Sequence, residues 1–258
     1  MGAFARVHFA FARLDENRSG DFYFKGVVFM SNLSSPDSTR NQNSQRIRMI
    51  VTLAMLIAIA YAAMWICKPI PKVAGILQFD FKDAVIVIGG FLYGPVAAAV
   101  SSFMVALIEM LTGSGTGPVG MLMNFLSTAS FSCAAALIYK HRRSQSGAVL
   151  GLVSGVVTMV VVMLLWNYLI TPIYQKVPRD VVVDMLPTVF LPFNLVKGGL
   201  NMAAALVLYK PVVTALRSAH LVPPSEKGTG KFNLGFLLFS LFLLATFIVL
   251  MLVLIGII

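Results

Sequence analysis

Residues 188–209 read TVFLPFNLVKGGLNMAAALVLY, an apolar run long enough to cross a bilayer that carries an amide and an ammonium, Asn194 and Lys197. The two side chains are three residues apart and therefore share one face of a helix. A charge near the bilayer centre costs at least about 2.5–3.5 kcal/mol on insertion scales, so such residues usually face a cavity. A lysine can instead snorkel to the headgroups, but Lys197 lies about 15 Å beyond Pro187, near the middle of a ~30 Å core. The run therefore predicts a polar site inside a membrane helix.

The composition of the whole chain is that of an integral membrane protein. Of the 258 residues, 58% are hydrophobic and 12% are charged, and the apolar residues fall into long runs. The formal charge of +10 does not indicate nucleic-acid binding, because the basic residues are spread singly between apolar segments, without a basic helix or an aromatic RNA motif. The sequence predicts an all-α fold in a lipid bilayer.

Seven apolar segments are predicted, six of them in one membrane domain over residues 46–217. A polar, disordered extension over residues 1–45 precedes this domain, and Met30 offers an alternative start, in which case residues 1–29 are not translated. A cytoplasmic linker over residues 218–231 leads to an additional transmembrane helix at 232–258. The segments are predicted at about 47–67, 84–93, 96–111, 119–139, 148–170, 188–209 and 232–258.

The distribution of lysine and arginine orients the chain. Positive residues are retained in the cytoplasm, and most of those flanking the segments fall inside when the amino terminus is cytoplasmic. The connections 68–83, 112–118 and 171–187 then lie outside, where an imported solute arrives. Asn167, near the outer end of the fifth segment, can join Lys197 in one outward-facing pocket.

Ala54, Ala58 and Ala62 form a stripe of small residues along the first segment. Small residues spaced by four allow close approach of membrane helices. The stripe is either an association surface for a partner or a packing face inside the bundle, and the sequence does not separate the two.

The first external connection alternates aromatic and polar residues at Phe79, Asp80 and Phe81. Such a stretch can form a flap over a cavity, or its rings can anchor in the headgroup region. Asp83 follows just before the second segment, where a helix-capping carboxylate and a ligand-binding carboxylate are both reasonable.

Two further polar residues interrupt apolar segments. Glu109, near the outer end of the third segment, either pairs with Lys197 or lies in the interface as a solvated carboxylate. Asn167 lies between Trp166 and Tyr168, which suit a membrane interface, yet an amide there needs a partner.

Catalytic and nucleotide-hydrolysing motifs are missing from the sequence. The glycine-rich stretches at 112–118 and 228–231 lack the spacing of a phosphate loop. Neither a metalloprotease nor a serine-hydrolase motif occurs, and Cys67 and Cys133 have no metal-ligand spacing. We therefore expect neither enzymatic activity, nor a metal, nor a cofactor.

Five motifs occur in order within residues 46–217, and together they resemble the riboflavin-specific substrate-binding subunits (S components) of energy-coupling factor (ECF) transporters. The motifs are Phe79-Asp80-Phe81-x-Asp83, Tyr93-Gly94-Pro95, Gly117-x-x-Gly120-x-x-x-Asn124-Phe125, Asn167-Tyr168-x-x-x-x-Pro172-x-Tyr174 and Leu191-Pro192-Phe193-Asn194-x-x-Lys197-Gly198.

The resemblance implies a six-helix subunit of the bacterial cell membrane that captures riboflavin at the outer face. It also implies a transmembrane coupling subunit and two cytosolic ATPases as partners, with Ala54, Ala58 and Ala62 as the docking face. The first connection would close over the vitamin. The segment 232–258 and the amino-terminal extension lie outside the resemblance. The residues that it assigns to the substrate are Asn167, Asn194, Lys197, Asn124, Phe79 and Asp83.

Three other functions remain open from the sequence. The first is an S component for another vitamin or a related flavin, since specificity is a property of the pocket. An ion-coupled secondary transporter would use Glu109 and Lys197 as its relay. A membrane enzyme is disfavoured by the missing catalytic groups.

Overall fold

The described part of the chain consists mainly of apolar α-helices. A computed structural model describes residues 36–113, 117–222 and 234–258. The predicted extension up to residue 35, the alternative start at Met30 and most of the predicted linker lie outside these ranges. The helices are α1 Pro36–Ile66, α2 Lys82–Tyr93, α3 Pro95–Gly113, α4 Gly117–His141, α5 Gln145–Gln175, α6 Arg179–Met185, α7 Leu191–Ser218 and α8 Leu234–Ile255.

The predicted all-α membrane fold is confirmed. A π-helical turn at Leu186–Phe190 joins α6 to α7, so these elements form one long helical segment and the predicted order of six segments plus one is retained. Within the described residues, six segments are long and apolar enough to cross a membrane. The exception is α2, whose 12 residues span only about 18 Å. It is instead enclosed by the other helices, since every residue from Lys82 to Gly90 is buried.

Two boundaries differ from the sequence-based expectation. Helix α1 begins at Pro36, ahead of the predicted domain start at residue 46, because neither glycine nor proline interrupts the polar stretch before the apolar run. The predicted external connection 171–187 is largely helical. Helix α5 continues through Pro172, and the chain leaves the helix only at Lys176, which has a left-handed backbone with φ of 54°.

Close backbone contact fixes α4 against α5. A Cβ atom on Gly151 would lie 2.7 Å from the Ala135 carbonyl oxygen, and one on Gly155 would lie 2.6 Å from the Phe131 carbonyl oxygen. Only glycine permits this approach, which is the packing that small residues spaced by four allow in membranes. The pair forms a rigid wall beside the polar residues of α4 and α5.

Helix α8 packs on α7. The Phe247 ring lies against the backbone of Gly199, where a Cβ atom would overlap it. Ser240 and Met251 on the same face of α8 are buried. The additional predicted helix is therefore seated on the bundle rather than trailing from it.

Candidate ligand-binding site

One cavity of about 550 Å³ opens between the first connection and helices α3, α4, α5 and α7. Its volume is in the range of small-molecule sites. The residues that supply its polar groups and its aromatic walls are Gln78, Asp80, Lys82, Glu109, Asn124, Trp166, Asn167, Phe193 and Lys197.

Four charged side chains form a continuous chain of ion pairs at this cavity. Lys197 Nζ lies 2.9 Å from Asp80 Oδ2, and Lys82 Nζ lies 3.5 Å from the same oxygen. Lys82 Nζ also lies 3.4 Å from Glu109 Oε2, which accepts a hydrogen bond of 2.9 Å from Asn124 Nδ2. The side chains are 3–16% exposed, and mutual pairing is what allows such charges to stay buried.

Asp80 is the shared anion of the network. Burial alone would raise the pKa of its carboxyl group, but the ammonium groups of Lys197 and Lys82 and the hydrogen bonds they donate lower this pKa to about 2. Asp80 lies in the connection between α1 and α2, and it is ionised at neutral pH. Asp80 occurs in one of the motifs of the family resemblance but is not among the substrate residues predicted from the sequence.

The alternative in which Lys197 pairs with Glu109 is wrong. Lys197 pairs with Asp80, and Glu109 pairs with Lys82. Helical spacing relates residues within one helix, but it does not reveal which residue of a distant connection folds beneath α7. The alternative of Glu109 as a freely solvated carboxylate is also wrong, because its side chain is only 16% exposed.

Three of the six predicted substrate residues line the cavity: Asn124, Asn167 and Lys197. Asn167 Nδ2 donates a hydrogen bond of 2.7 Å to the Met163 carbonyl oxygen. Its Oδ1 accepts a bond of 2.9 Å from the Thr171 hydroxyl. These bonds supply the partner that the sequence analysis expected for this amide and fix its orientation.

The other three predicted residues lie behind the cavity wall. Asn194 donates to the Phe190 carbonyl oxygen of its own helix, at 2.7 Å. The Phe79 ring is fully buried, with its centroid 4.7 Å from that of Phe193, so it does not anchor in headgroups. Substrate contact by these residues stays a prediction.

Asp83 lies within the first turn of α2, and the N-cap position belongs to Phe81. The interpretation of Asp83 as a helix cap is therefore wrong. Its Oδ1 accepts a hydrogen bond of 2.6 Å from the Thr128 hydroxyl, which ties α2 to α4 away from the cavity lining.

Asn201 supports the site from behind the cavity lining, and it is not among the site residues predicted from the sequence. It is fully buried, its Nδ2 donates to the Asp80 carbonyl oxygen at 2.8 Å, and its Oδ1 accepts from the Ala84 amide at 2.9 Å. A signal was present, since Asn201 follows Lys197 by four residues and lies on the same helix face.

The alanine stripe of α1 faces outward. Ala54, Ala58 and Ala62 are exposed, whereas Leu56 and Ala60 of the same helix are buried. The interpretation of the stripe as an internal packing face is therefore wrong, and it is available to lipid or to another subunit.

These features define a class of protein: a multi-pass membrane protein with a polar cavity for a small solute and a buried chain of ion pairs at that cavity. The sequence from residue 48 to 213 matches the family model described as "ECF transporter, substrate-specific component". The chain belongs to this family. Membership confirms the resemblance to S components that the motifs indicated. It also confirms the prediction of a transport subunit rather than an enzyme.

Curated relatives and a solved structure agree with this family. The chain is 31% identical over 184 residues to "Riboflavin transporter RibU" of Staphylococcus aureus (strain TCH60), covering 69% of this chain and 97% of that protein. It is 29% identical over 188 residues to "Riboflavin transporter FmnP" of Bacillus subtilis (strain 168), covering 68% and 99%. The solved structure "Structure and mechanism of the S component of a bacterial ECF transporter" aligns with a TM-score of 0.58 and 31% identity, covering 67% of this chain and 99% of that one.

Proposed function

We propose that this chain captures riboflavin in the cavity between the first connection and α7, as the substrate-binding subunit of an ATP-driven importer. The observation that carries the proposal is the composition of the cavity, which combines two aromatic walls, Trp166 and Phe193, with the amides of Asn124 and Asn167 and the ammonium of Lys197. The riboflavin transporters among the relatives support the same substrate.

The chemistry of these groups suits a flavin. Its flat tricycle carries carbonyl and N–H groups along one edge, and its ribityl tail carries hydroxyls. Aromatic side chains stack on flat rings, amides both donate and accept, and an ammonium only donates. Because an amide has two hydrogens and two oxygen lone pairs, Asn167 can bind a ligand while keeping its bonds to Met163 and Thr171.

The buried ion-pair chain at the cavity is compatible with an uncharged vitamin, while Lys68 and Lys72 add two further ammonium groups to the lining. The ion-pair chain contains two carboxylates, Asp80 and Glu109, and two ammonium groups, Lys82 and Lys197. These charges compensate one another, so a bound solute need not supply a counter-charge. A ligand carbonyl can then accept from Lys197 without breaking its pair with Asp80, because an ammonium has three hydrogens.

Delivery would proceed through a transmembrane coupling subunit and two cytosolic ATPases. The outward-facing stripe of Ala54, Ala58 and Ala62 supports a docking role, because small residues let another helix approach closely. We place the chain in the bacterial cell membrane with a cytoplasmic amino terminus, on the distribution of its lysines and arginines.

The direct test is to purify the chain from cells and to record the absorption of any bound ligand. A yellow protein with flavin absorption, or a colourless one that quenches the fluorescence of added riboflavin at 1:1 stoichiometry, is the expected result. A chain that carries no flavin and leaves riboflavin fluorescence unchanged would contradict the assignment. A parallel titration with an unrelated vitamin controls for nonspecific partition into the detergent micelle.

A transport assay separates the proposal from ion-coupled transport. Vesicles that contain the chain alone are loaded with an ion gradient and supplied with labelled riboflavin. We expect binding without accumulation, because the proposed import is driven by partner ATPases that these vesicles lack. Accumulation driven by the gradient alone would instead assign a secondary transporter.

A further inference from the structure

We infer that Asn201 is a positioning residue that fastens the first connection to α7 and so holds the cavity ready before the ligand arrives. This inference deepens the proposed function and rests on it for its effect on riboflavin. Asn201 does not line the cavity, and it is fully buried.

The amide of Asn201 bonds three backbone groups. Its Nδ2 donates to the Asp80 carbonyl oxygen at 2.8 Å and to the Lys197 carbonyl oxygen at 3.1 Å. Its Oδ1 accepts from the Ala84 amide at 2.9 Å. Both hydrogens are thereby used, so this side chain has no donor left for a ligand.

The bond to Ala84 replaces a missing helix cap. The first N–H groups of a helix have no acceptor within the helix, and the N-cap residue of α2, Phe81, has no side-chain bond to supply one. Asn201 supplies the acceptor for Ala84 from α7. Asp80 Oδ1 accepts from the Lys82 amide at 3.3 Å. Side-chain oxygens therefore accept from two of the first three amides of α2, those of Lys82 and Ala84.

Asp80 is consequently held to α7 twice. Asn201 binds its backbone carbonyl, and Lys197, one turn earlier, binds its carboxylate. Within the connection, Gln78 Nε2 donates to the carbonyl oxygen of Lys68, two residues after the end of α1, at 3.1 Å. Because bonds within the protein hold the first connection in place, the ligand need not order it. Binding then avoids the free-energy cost that arises when only a rarely populated conformation can bind the ligand.

Hydrogen exchange of the full chain without flavin tests directly whether Asn201 holds the first connection to α7. Ala84 is the third residue of α2, and its amide has the Asn201 oxygen as its acceptor, so protection at this position in the wild type is the expected result. In Asn201→Leu and Asn201→Ala, protection at Ala84 and Lys82 is lost while the middle of α7 stays protected. The matched control is Ser102→Ala, because this buried hydroxyl bonds only a carbonyl of its own helix.

Riboflavin binding kinetics test the consequence. We expect riboflavin to bind about tenfold more weakly to the Asn201 variants, through slower association with little change in dissociation. Loss of a ligand contact would mainly speed dissociation, and that result would overturn the positioning role. Unchanged affinity despite lost protection would overturn it too, as would an unprotected Ala84 amide in the wild type, a measurement that needs no variant to fold. A wild type that binds no riboflavin but shows the expected exchange pattern would contradict the proposed function. The same result would still support the role of Asn201 in holding the first connection to α7.

Discussion

Lys197 donates a hydrogen bond of 2.9 Å to Asp80, a residue that precedes it by 117 positions. The contact joins the connection after α1 to the second turn of α7 and places a compensated charge pair at the cavity. Lys197 therefore has a structural partner and, with its remaining hydrogens, the capacity to contact a ligand as well.

Replacing Lys197 tests both roles. In Lys197→Met the side chain keeps its length, but Asp80 loses its nearest cation. Removing one partner of a buried pair typically costs about 3–5 kcal/mol. We expect a smaller loss of about 1–3 kcal/mol, because Lys82 remains 3.5 Å from Asp80. Riboflavin should bind at least about tenfold more weakly.

Thermal unfolding and fluorescence titration separate the two effects. Asp80→Asn in the Lys197→Met background should recover part of the stability without recovering the affinity. Lys140→Met, at an exposed position near the end of α4, is the control. Unchanged affinity in Lys197→Met would remove this residue from the riboflavin site.

Bulk on the alanine stripe should affect transport and spare binding. Ala58→Leu adds three heavy atoms to an exposed face and should block the approach of a coupling subunit. We expect reduced riboflavin uptake by cells at unchanged affinity of the purified chain. Ala245→Leu makes the same change at an exposed alanine of α8 and should leave uptake unchanged. Equal loss in both variants would speak against a specific docking face.

The contact between Gly199 and Phe247 sets a packing prediction. A methyl group on Gly199 overlaps the Phe247 ring, so Gly199→Ala should destabilise the chain by about 1–3 kcal/mol, the usual cost of overpacking. Phe247→Leu in the same chain makes room for the methyl group and should recover part of that loss. The measurement is the unfolding temperature of both single variants and the double variant. Additive losses would show that α8 does not pack against α7 at this point.

The Asp80 pair also predicts a pH dependence. The pKa of Asp80 is lowered to about 2 in the folded chain, against about 3.9 for an unperturbed aspartate. Its contribution to stability is therefore fully present above about pH 4 and is lost as the pH falls toward 2. Across pH 5–8 we expect no change in riboflavin affinity from this group. A titration in that range checks this, with Asp80→Asn as the variant that lacks the group.

The helices could be predicted from the sequence because apolar length and flanking charge are local properties. Residues 188–209 read as a membrane segment on composition alone, and α7 occupies most of that range. The short apolar run at 84–93 is below the length of a membrane span, but the sequence could not show which helices enclose α2. The predicted end of the fifth segment at about residue 170 is too early, because α5 accommodates Pro172 inside the helix.

The site was predicted in part, for a physical reason. Asn167 and Lys197 could be predicted because polar groups in apolar segments are costly, whereas Asn124 was predicted only from a motif of the family resemblance. Asn194 met the same criterion, yet it satisfies its donor within its own helix and does not line the cavity. The cost of burial reveals that a polar group needs a partner, but it does not reveal whether the partner is a ligand, a distant loop or the preceding turn.

The seating of α8 places a second layer of protein outside the charged site. Phe247 covers Gly199, only two residues beyond Lys197, and a helix with its side chains is about 10 Å across. On this side the hydrocarbon of the bilayer is therefore held one helix diameter further from the ammonium group. The family match ends at residue 213, so the helix that separates this part of α7 from the lipid lies outside the matched domain.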